Sequence, residues 1–417
     1  MDAFLIEGLY PLEGEILISG SKNSSLPIMA ATLLTDEPVK LYNVPSLADT
    51  YTMKKLIGSM NGTVYDTENY VYFENSGDIS LTATYDLVKT MRASVLVLGP
   101  LIARFNRAKV SFPGGCAIGS RPVDQHLKAL ERMGVRISIE EGYIIAETEK
   151  LKGAKVYFDM PTVGGTENIL MAAALADGET IIDNAAMEPE ITDLADFLRK
   201  MGAKITGDGT PLIKIEGVKK LHGIDYTIIP DRIEAATYAL IGAVSGKELV
   251  IKNIVTTHID AVLRKMETAN VKFKTEKDKI IIFESNNISS VNIKTQPYPG
   301  FPTDVQAQFM SLLTKAEGTS IINENIFENR FMHVSEINRM GAKIRIDGSS
   351  AIIDGVKELK GAPVMASDLR ASAALVIAAL SAKGKTKISR IYHLDRGYEF
   401  MEKKLSAVGA KIQRIKE

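Results

Sequence analysis

A short pattern of apolar and small residues recurs six times along the chain. An amphipathic helical stretch ends in an apolar residue, a Gly or Asn follows, and alternating apolar residues then begin a strand, as in Met201-Gly202-Ala203-Lys204-Ile205. Gly and Asn suit the left-handed backbone that ends many helices. Copies at intervals of about 70 residues indicate a repeated structural unit. The copies begin at Met60, Met133, Met201, Ala269, Met340 and Val408.

A second pattern, out of phase with the first, is a polar or charged cluster followed by an almost entirely apolar helical stretch. Helices that are apolar on every side are buried in a core. Each unit therefore supplies one buried helix whose N-terminus carries polar side chains. Six such units predict an α/β fold of two domains, with three units in each domain and the helices shielded by sheet. The apolar stretches are 26–34, 95–103, 169–176, 235–244, 305–313 and 371–382.

The polar clusters at the helix starts combine capping residues with cations. Ser and Thr often cap helices, and this explanation fits Ser21, Thr303 and Ser367. It fits the cations poorly, because a positive charge at a helix N-terminus opposes the helix dipole. Several helix N-termini on one face of a domain can bind anions, so the cations indicate an anion site. These cations are Lys22, Arg92, Arg232 and Arg370.

Composition excludes several classes of function. With 50 basic and 51 acidic side chains, the chain lacks the positive charge of nucleic-acid-binding proteins. One cysteine excludes a disulfide framework, and the five histidines include no pair at metal-ligand spacing, so we expect no metal. The N-terminus has an early acid and no long apolar run, unlike a signal peptide, and no apolar stretch is long enough to span a bilayer. We therefore expect a soluble cytoplasmic protein without nucleic-acid or membrane partners.

The single cysteine, Cys116, lies in a glycine-rich stretch, 113–126, that also contains Arg121 and His126. Glycines let a backbone approach a ligand closely, and a nearby cation favours the thiolate. A structural cysteine is instead normally surrounded by apolar side chains, so we predict a reactive thiol. The stretch lacks the Gly-Lys-Ser/Thr of a P-loop. His126 either contacts a ligand or lies on the surface.

Three acidic residues are candidates for acid–base chemistry: Asp304, Asp368 and Glu188. Asp304 stands out because it follows Gly300-Phe301-Pro302-Thr303, a rigid turn before a helix, although a helix cap is the alternative interpretation. Arginine forks suit carboxylate and phosphate groups. The arginines that could converge on such an anion are Arg92, Arg121, Arg330, Arg370 and Arg396.

Several longer motifs are spread over the whole chain. They are Gly20-Ser21-Lys22-Asn23, Met91-Arg92-Ala93-Ser94, Gly114-Gly115-Cys116-Ala117-Ile118-Gly119, Arg121-Pro122-Val123-Asp124, Glu188-Pro189-Glu190, Gly300-Phe301-Pro302-Thr303-Asp304, Phe327-Glu328-Asn329-Arg330-Phe331, Asp368-Leu369-Arg370 and Asp395-Arg396-Gly397. With these motifs the chain resembles the enolpyruvyl transferase family, and in particular its members that act on UDP-N-acetylglucosamine.

The resemblance implies two inside-out α/β-barrel domains with six repeats of about 70 residues in all, three in each domain. It implies one domain at 21–229, which carries Cys116, and a second, discontinuous domain at 1–20 plus 230–417. The active site of such enzymes lies in the cleft between the two domains. No metal or organic cofactor is implied, and the oligomeric state is left open.

The resemblance also implies a reaction. The enolpyruvyl group of phosphoenolpyruvate moves to the 3-hydroxyl of UDP-N-acetylglucosamine and phosphate is released, which is the first committed step of peptidoglycan biosynthesis and hence supports cell shape and cell division. Cys116 matches the acid that protonates the methylene carbon and can carry a phospholactoyl thioether, and it is the target of the epoxide antibiotic fosfomycin in this family. Asp304 matches the base that takes the hydroxyl proton.

Binding roles follow from the resemblance residue by residue. Lys22 and Arg396 join Cys116 and Asp304 in the catalytic set. The phosphoenolpyruvate contacts are expected to be Lys22, Asn23, Arg121, Arg330, Arg370 and Arg396. The contacts to UDP-N-acetylglucosamine are expected to be Arg92, Arg121, Pro122, Val123, Asp124, Gln125, Val163, Gly164, Asp304 and Ile326.

The chain departs from the family pattern at three positions. Met160 stands where some members have lysine, Gln125 stands where others have leucine, and Leu96 stands where some relatives have a tryptophan near Arg92. Two alternative functions remain: an enolpyruvyl transferase that acts on 3-phosphoshikimate, and a paralogue that binds UDP-sugar without catalysis. Cys116 and the Arg121-Pro122-Val123-Asp124 run argue against the first, and the intact acid and base argue against the second.

Overall fold

The chain forms a mixed α/β structure whose internal contacts divide into two units. The computed structural model describes residues 2–89, 91–112 and 123–417. The central unit comprises the described residues between Gly20 and Ile229. The terminal unit comprises residues 2–19 together with Pro230–Glu417.

Three four-stranded sheets form the described part of the central unit, and all have the same strand arrangement. The first two strands pair in parallel, and the third and fourth strands continue the sheet in antiparallel pairs. In order across each sheet, the strands are Asp225–Thr227, Val39–Tyr42, Tyr70–Glu74 and Thr63–Asp66; Thr82–Ala83, Arg107–Ser111, Tyr143–Glu147 and Arg136–Glu140; and Lys155–Tyr157, Glu179–Asp183, Leu212–Glu216 and Lys204–Thr206.

The described part of the terminal unit repeats this arrangement three more times. A short parallel pair, Leu359–Lys360 with Ala382–Lys383, is added to it. Six sheets of one topology confirm the six units predicted from the sequence. The strands are, in order across each sheet, Leu12–Leu17, Gly246–Lys252, Lys279–Phe283 and Phe273–Thr275; Ile293–Lys294, Thr319–Asn323, Ser350–Asp354 and Lys343–Asp347; and Pro363–Met365, Lys385–Ser389, Asp2–Glu7 and Lys411–Lys416.

Thirteen α-helices and five 3₁₀ helices connect the strands of the described residues. The α-helices are α1 (Lys22–Ala31), α2 (Ala48–Ser59), α3 (Tyr85–Val88), α4 (Leu98–Phe105), α5 (Asp124–Arg132), α6 (Val163–Ala173), α7 (Pro189–Lys200), α8 (Arg232–Ser245), α9 (Asp260–Thr268), α10 (Gln306–Leu313), α11 (Val334–Arg339), α12 (Leu369–Ser381) and α13 (Met401–Ala407). The 3₁₀ helices are Thr32–Leu34, Arg92–Val97, Thr256–Ile259, Thr303–Val305 and Ile391–Arg396.

The helix-to-strand junctions have the backbone that the recurring pattern predicts. All six Gly or Asn residues of the pattern have positive φ angles, where a residue with a side chain other than Asn is disfavoured. Each helix-to-strand junction therefore contains one residue in the left-handed backbone conformation. The residues are Asn61, Gly134, Gly202, Asn270, Gly341 and Gly409, with φ between 61° and 108°.

The apolar stretches form the buried helices α1, α4 and α6 in the central unit and α8, α10 and α12 in the terminal unit. Nine of the ten residues of α1 are buried, and α8, α10 and α12 contact one another. The second stretch begins as the 3₁₀ helix Arg92–Val97 before α4. Pro100 explains this break, because a proline lacks the N–H that an α-helical bond to Leu96 would need. Each unit thus contains one apolar core around its buried helices. Among the described residues, no helix is both long and apolar enough to cross a bilayer.

Candidate functional site

Asp304, Arg330 and Arg370 meet in the terminal unit. Arg330 Nη2 lies 2.7 Å from Asp304 Oδ1, and Arg370 Nη2 lies 2.9 Å from Oδ2. Both arginine side chains are buried, whereas 26% of the Asp304 side chain is exposed. Burial lowers the pKa of the Arg370 guanidinium, but the charges of Asp304, Tyr398 and Asp231 together with the Tyr398 hydrogen bond raise it by more, so the net shift is upward. The arrangement fixes one carboxylate between two permanent positive charges and leaves part of it accessible.

Glu324 fixes the turn that carries Asp304. This buried carboxylate accepts hydrogen bonds from Thr303 Oγ1 at 2.8 Å and from Thr295 Oγ1 at 2.9 Å. It also accepts one from the backbone N–H of Ile326 at 2.8 Å. The Glu324 side chain therefore holds both the turn before Asp304 and the segment that contains Ile326, a predicted sugar-nucleotide contact.

Two further candidates of the terminal unit, Asp368 and Arg396, lie at helix ends. Asp368 caps α12, because its Oδ1 accepts the N–H groups of Arg370 and Ala371. The cap predicted at Ser367 is therefore wrong by one residue, because α12 begins at Leu369 and Asp368 occupies the N-cap position. Arg396 ends the 3₁₀ helix Ile391–Arg396.

In the central unit, Lys22 is the first residue of α1. Ser21 caps this helix as predicted, because its Oγ accepts the N–H of Ser24 at 3.2 Å. The Lys22 side chain is 11% exposed, and its Nζ lies 3.5 Å from Asp49 Oδ2 in the first turn of α2. This carboxylate offsets the positive charge that would otherwise oppose the dipole of α1. Asn23 follows Lys22 and is half-buried.

His126 is buried, so the interpretation of a surface histidine is wrong. Burial and the charge of Arg92 lower the pKa of its imidazole to about 4. The side chain of Asn168 accepts the N–H of Gly99 with its oxygen and therefore faces His126 Nδ1, 3.0 Å away, with its NH₂ group. Nδ1 must then be the acceptor, which leaves the ring proton on Nε2. The imidazole is neutral and has a single defined tautomer.

The expected sugar-nucleotide residues Val163 and Gly164 lie at the start of α6, beside His126. A Cβ added at Gly164 would lie 3.2 Å from His126 Cε1, so a side chain here would require the imidazole to move by a few tenths of an ångström. Thr162 caps α6 through the N–H of Gly165. The structure therefore brings Val163, Gly164, Arg92 and His126 together.

Two of the three residues that depart from the family pattern, Gln125 and Met160, are in contact. Gln125 Oε1 accepts the backbone N–H of Met160 at 3.4 Å, and the Met160 side chain is exposed. Asp124 pairs with Lys128 one turn further along α5 at 3.4 Å. Val123 is buried immediately before this helix.

Three predicted residues, Cys116, Arg121 and Pro122, lie outside the described residues. Within residues 2–89, 91–112 and 123–417, no group of three or more His, Cys, Asp or Glu side chains is arranged to hold a metal ion. The third acid–base candidate, Glu188, immediately precedes α7. Its charge and that of Glu190 act on the buried carboxyl of Glu167, whose pKa is raised well above its usual value, chiefly by burial.

The sequence reasoning missed the side chains that support these candidates. Asp49, Glu324 and Tyr398 each contact a predicted residue, but each belongs to a segment distant in sequence from that residue. Asp49 resembles an ordinary acidic residue in a first helical turn. Glu324 and Tyr398 each lie two residues from a predicted contact, Ile326 and Arg396 respectively, and this proximity was the available signal.

Comparison with protein families gives the same kind of fold and chemistry. The family model described as EPSP synthase (3-phosphoshikimate 1-carboxyvinyltransferase) matches residues 6–405. Among solved structures, the enolpyruvyl transferase NikO from Streptomyces tendae matches 99% of both chains with a TM-score of 0.91 and 24% identity. An EPSP synthase from Acinetobacter baumannii matches 100% of both chains with a TM-score of 0.77 and 17% identity. These similarities confirm the predicted fold of two inside-out α/β domains.

Curated relatives are much more similar in sequence. A protein of Nitratidesulfovibrio vulgaris is 56% identical over 418 residues, and one of Thermodesulfovibrio yellowstonii is 57% identical over 418 residues. In both comparisons, all of this chain and all of the relative are covered. Both relatives are named UDP-N-acetylglucosamine 1-carboxyvinyltransferase. The chain therefore belongs to the enolpyruvyl transferase family and, within it, to the UDP-N-acetylglucosamine 1-carboxyvinyltransferases.

Proposed function

We propose that this protein transfers the enolpyruvyl group of phosphoenolpyruvate to the 3-hydroxyl of UDP-N-acetylglucosamine and releases phosphate. The observation that carries the proposal is the full-length identity of 56% with an enzyme of that name. The cluster of Asp304, Arg330 and Arg370 supports it, because the reaction needs both a base and positive charge. The product serves peptidoglycan synthesis, and the protein acts in the cytoplasm on these two small substrates.

The chemistry is an addition followed by an elimination. Asp304 takes the proton of the 3-hydroxyl while the oxygen bonds to C2 of phosphoenolpyruvate, and Cys116 donates a proton to C3, which becomes a methyl group. The Cys116 thiolate then takes a proton back from that methyl group while phosphate leaves C2 with the proton held by Asp304, which restores the double bond, the thiol and the carboxylate. A base beside the sugar hydroxyl and an acid beside C3 of phosphoenolpyruvate accelerate the reaction by general acid–base catalysis. No metal ion or organic cofactor enters this scheme.

The substrates are anions, and the residues assigned to them are mostly cations. Lys22, Asn23, Arg121, Arg330, Arg370 and Arg396 are assigned to phosphoenolpyruvate. Arginine is suited to this task because its planar guanidinium binds carboxylate and phosphate with two parallel hydrogen bonds. The sugar nucleotide is assigned to Arg92, Arg121, Pro122, Val123, Asp124, Gln125, Val163, Gly164, Asp304 and Ile326. The proposal thus draws on side chains of both domains, 21–229 and 1–20 plus 230–417.

Cys116 must hold a proton to act as the acid, yet Arg121 favours its thiolate. We propose that bound phosphoenolpyruvate, which is strongly anionic, restores the protonated thiol. Alkylation of Cys116 by an epoxide such as fosfomycin, followed against pH with and without ligands, tests this step. Saturation with ligand should move the alkylation profile to higher pH, and an unmoved profile would contradict the step. Cys116→Asp should retain acid activity and lose alkylation, whereas Cys116→Ser should lose most turnover.

Phosphate release with each acceptor tests the function itself. Release with UDP-N-acetylglucosamine and not with 3-phosphoshikimate is the expected result. Release only with 3-phosphoshikimate would favour the alternative transferase, and binding of UDP-sugar without release would favour a non-catalytic paralogue. Mass spectrometry of the purified protein adds an independent measurement, because a phospholactoyl-sized adduct should be present in the wild type and absent from Cys116→Ser.

A further inference from the structure

A buried hydrogen-bond network lies behind the Asp304–Arg370 pair. Its centre is the hydroxyl of Tyr398, which lies 3.3 Å from Arg370 Nη1, 3.1 Å from Gln308 Nε2 and 2.9 Å from Thr237 Oγ1. Tyr398, Gln308 and Thr237 are all fully buried. Polar groups in such a dry environment are costly unless they are hydrogen-bonded, so this network restricts the side chains that it joins.

The donors and acceptors at the Tyr398 hydroxyl can be assigned. Thr237 Oγ1 uses its proton on the backbone oxygen of Ile233, 2.8 Å away, so Tyr398 must donate its proton to Thr237. The lone pairs of the Tyr398 oxygen then accept from Arg370 and Gln308, both of which donate through nitrogen. Every hydrogen of the Tyr398 hydroxyl and of the Thr237 hydroxyl is thereby placed.

The network also reaches the backbone of Asp304. Gln308 Nε2 donates to the backbone oxygen of Asp304 at 2.7 Å, and this oxygen can only accept, which fixes the orientation of the amide. The Asp304 residue is thus held at its carboxylate by Arg370 and at its carbonyl by Gln308. Both of these side chains are tied to the one hydroxyl of Tyr398.

We propose that Tyr398 is a positioning residue, which orients the Arg370 guanidinium so that Arg370 meets phosphoenolpyruvate and Asp304 in one fixed geometry; this inference rests on the proposed function. Removal of the hydroxyl leaves one N–H group of the buried Arg370 without this acceptor. The ring contact remains, because the guanidinium carbon lies 5.6 Å from the ring centre of Tyr398 and phenylalanine keeps that ring. The loss is therefore one of orientation and not of packing.

Tyr398→Phe tests the inference by steady-state kinetics with both substrates. The variant should raise the KM for phosphoenolpyruvate at least fivefold and lower kcat about tenfold, while the KM for UDP-N-acetylglucosamine stays within twofold of wild type. A merely structural role would reduce the active fraction and hence kcat, but it would leave both KM values unchanged. Unchanged KM values for both substrates would therefore overturn the inference, whatever happens to kcat.

Tyr238→Phe is the matched control, because Tyr238 is also fully buried in the terminal unit and its hydroxyl has no hydrogen-bond partner in the described residues. It should leave both KM values and kcat within twofold of wild type.

If Tyr398→Phe does not fold, a second pair of variants tests the same network. Thr237→Val removes the acceptor of the Tyr398 proton and should raise the KM for phosphoenolpyruvate, whereas Thr237→Ser keeps the hydroxyl and should restore it. Equal KM values in these two variants would overturn the inference.

Failure of the proposed function would be visible separately, as absence of phosphate release by the wild-type protein in the same assay. A measurement without turnover then decides the inference. In urea unfolding, Tyr398→Phe and Arg370→Met should shift the midpoint non-additively, because both remove the same hydrogen bond. Additive shifts would overturn it.

Discussion

The carboxylate of Asp304 accepts two hydrogen bonds from Arg370 on a single oxygen: Nε lies 3.2 Å and Nη2 lies 2.9 Å from Oδ2. The other oxygen, Oδ1, accepts from Arg330 at 2.7 Å. Each carboxylate oxygen thus faces its own guanidinium. A charge held in this way keeps a constant direction, which is what a group that removes a proton from a bound hydroxyl requires.

Replacement of this carboxylate should abolish turnover without abolishing binding. Asp304→Ala removes the proposed base and should lower kcat by about 10²- to 10⁴-fold, which is the usual contribution of a general base. Binding of UDP-N-acetylglucosamine, measured by calorimetry, should persist because most of its proposed contacts are elsewhere. Asp347→Ala, at the end of a strand of the same unit where the side chain is exposed, is the control. Turnover near the wild-type rate in Asp304→Ala would show that this residue is not the base.

The pair of Lys22 and Asp49 allows binding to be separated from stability. Lys22→Met should raise the KM for phosphoenolpyruvate at least tenfold and also destabilise the protein by about 2 kcal/mol or more, because the buried Asp49 loses its ion pair with Lys22. Adding Asp49→Asn should recover the stability but not the KM. Steady-state kinetics and thermal unfolding of the single and double variants measure the two effects.

The control for this pair is Lys204→Met in the same unit, which removes an ion pair between Lys204 and Glu216, whose side chains are both mostly exposed. An exposed pair contributes about 1 kcal/mol or less, so this variant should resemble wild type in both measurements. If Lys22→Met left the KM for phosphoenolpyruvate unchanged, Lys22 would have only a structural role.

The repeat architecture could be predicted from the sequence because each repeat has local signals. A left-handed residue such as Gly202 or Asn270 and an adjacent apolar run depend only on neighbouring residues. The contacts of the candidate site depend instead on residues that are distant in the sequence. Asp49 reaches Lys22 across 27 positions and Glu324 reaches Thr303 across 21. The flanking residues of Asp49 and Glu324 do not show which side chains these carboxylates contact, so the supporting side chains became visible only in the folded chain.

The buried imidazole of His126 should make folding stability depend on pH. Its pKa is about 4 in the folded protein and ordinarily 6.5, so the unfolded chain takes up a proton first as the pH falls. The stability is fully present above pH 6.5 and is lost as the pH falls from 6.5 to 4, by about 3 kcal/mol at most. His126→Gln should therefore lose less stability than wild type over this pH range, as measured by thermal unfolding.

The other histidines remain in His126→Gln, so the difference between its pH profile and that of wild type reports on His126. One of them, His333, is buried in the terminal unit, has a pKa that is also about 4, chiefly because of burial, and keeps part of the slope. Parallel pH profiles of wild type and His126→Gln would contradict the buried neutral imidazole.

Glu167 should show the opposite pH dependence. It is buried on α6, and burial together with the charges of Glu190 and Glu188 raises its pKa well above 4.5. The folded state therefore keeps a proton that the unfolded chain releases, and stability is lost as the pH rises above about 4.5 toward the folded pKa. Glu167→Gln replaces the protonated carboxyl by a neutral amide of similar shape, so it should gain thermal stability relative to wild type as the pH is raised from 5 to 8. Glu179→Gln, at an exposed position of the same unit, should show no such gain, and a constant difference between wild type and Glu167→Gln across this range would mean that Glu167 is already ionised at pH 5.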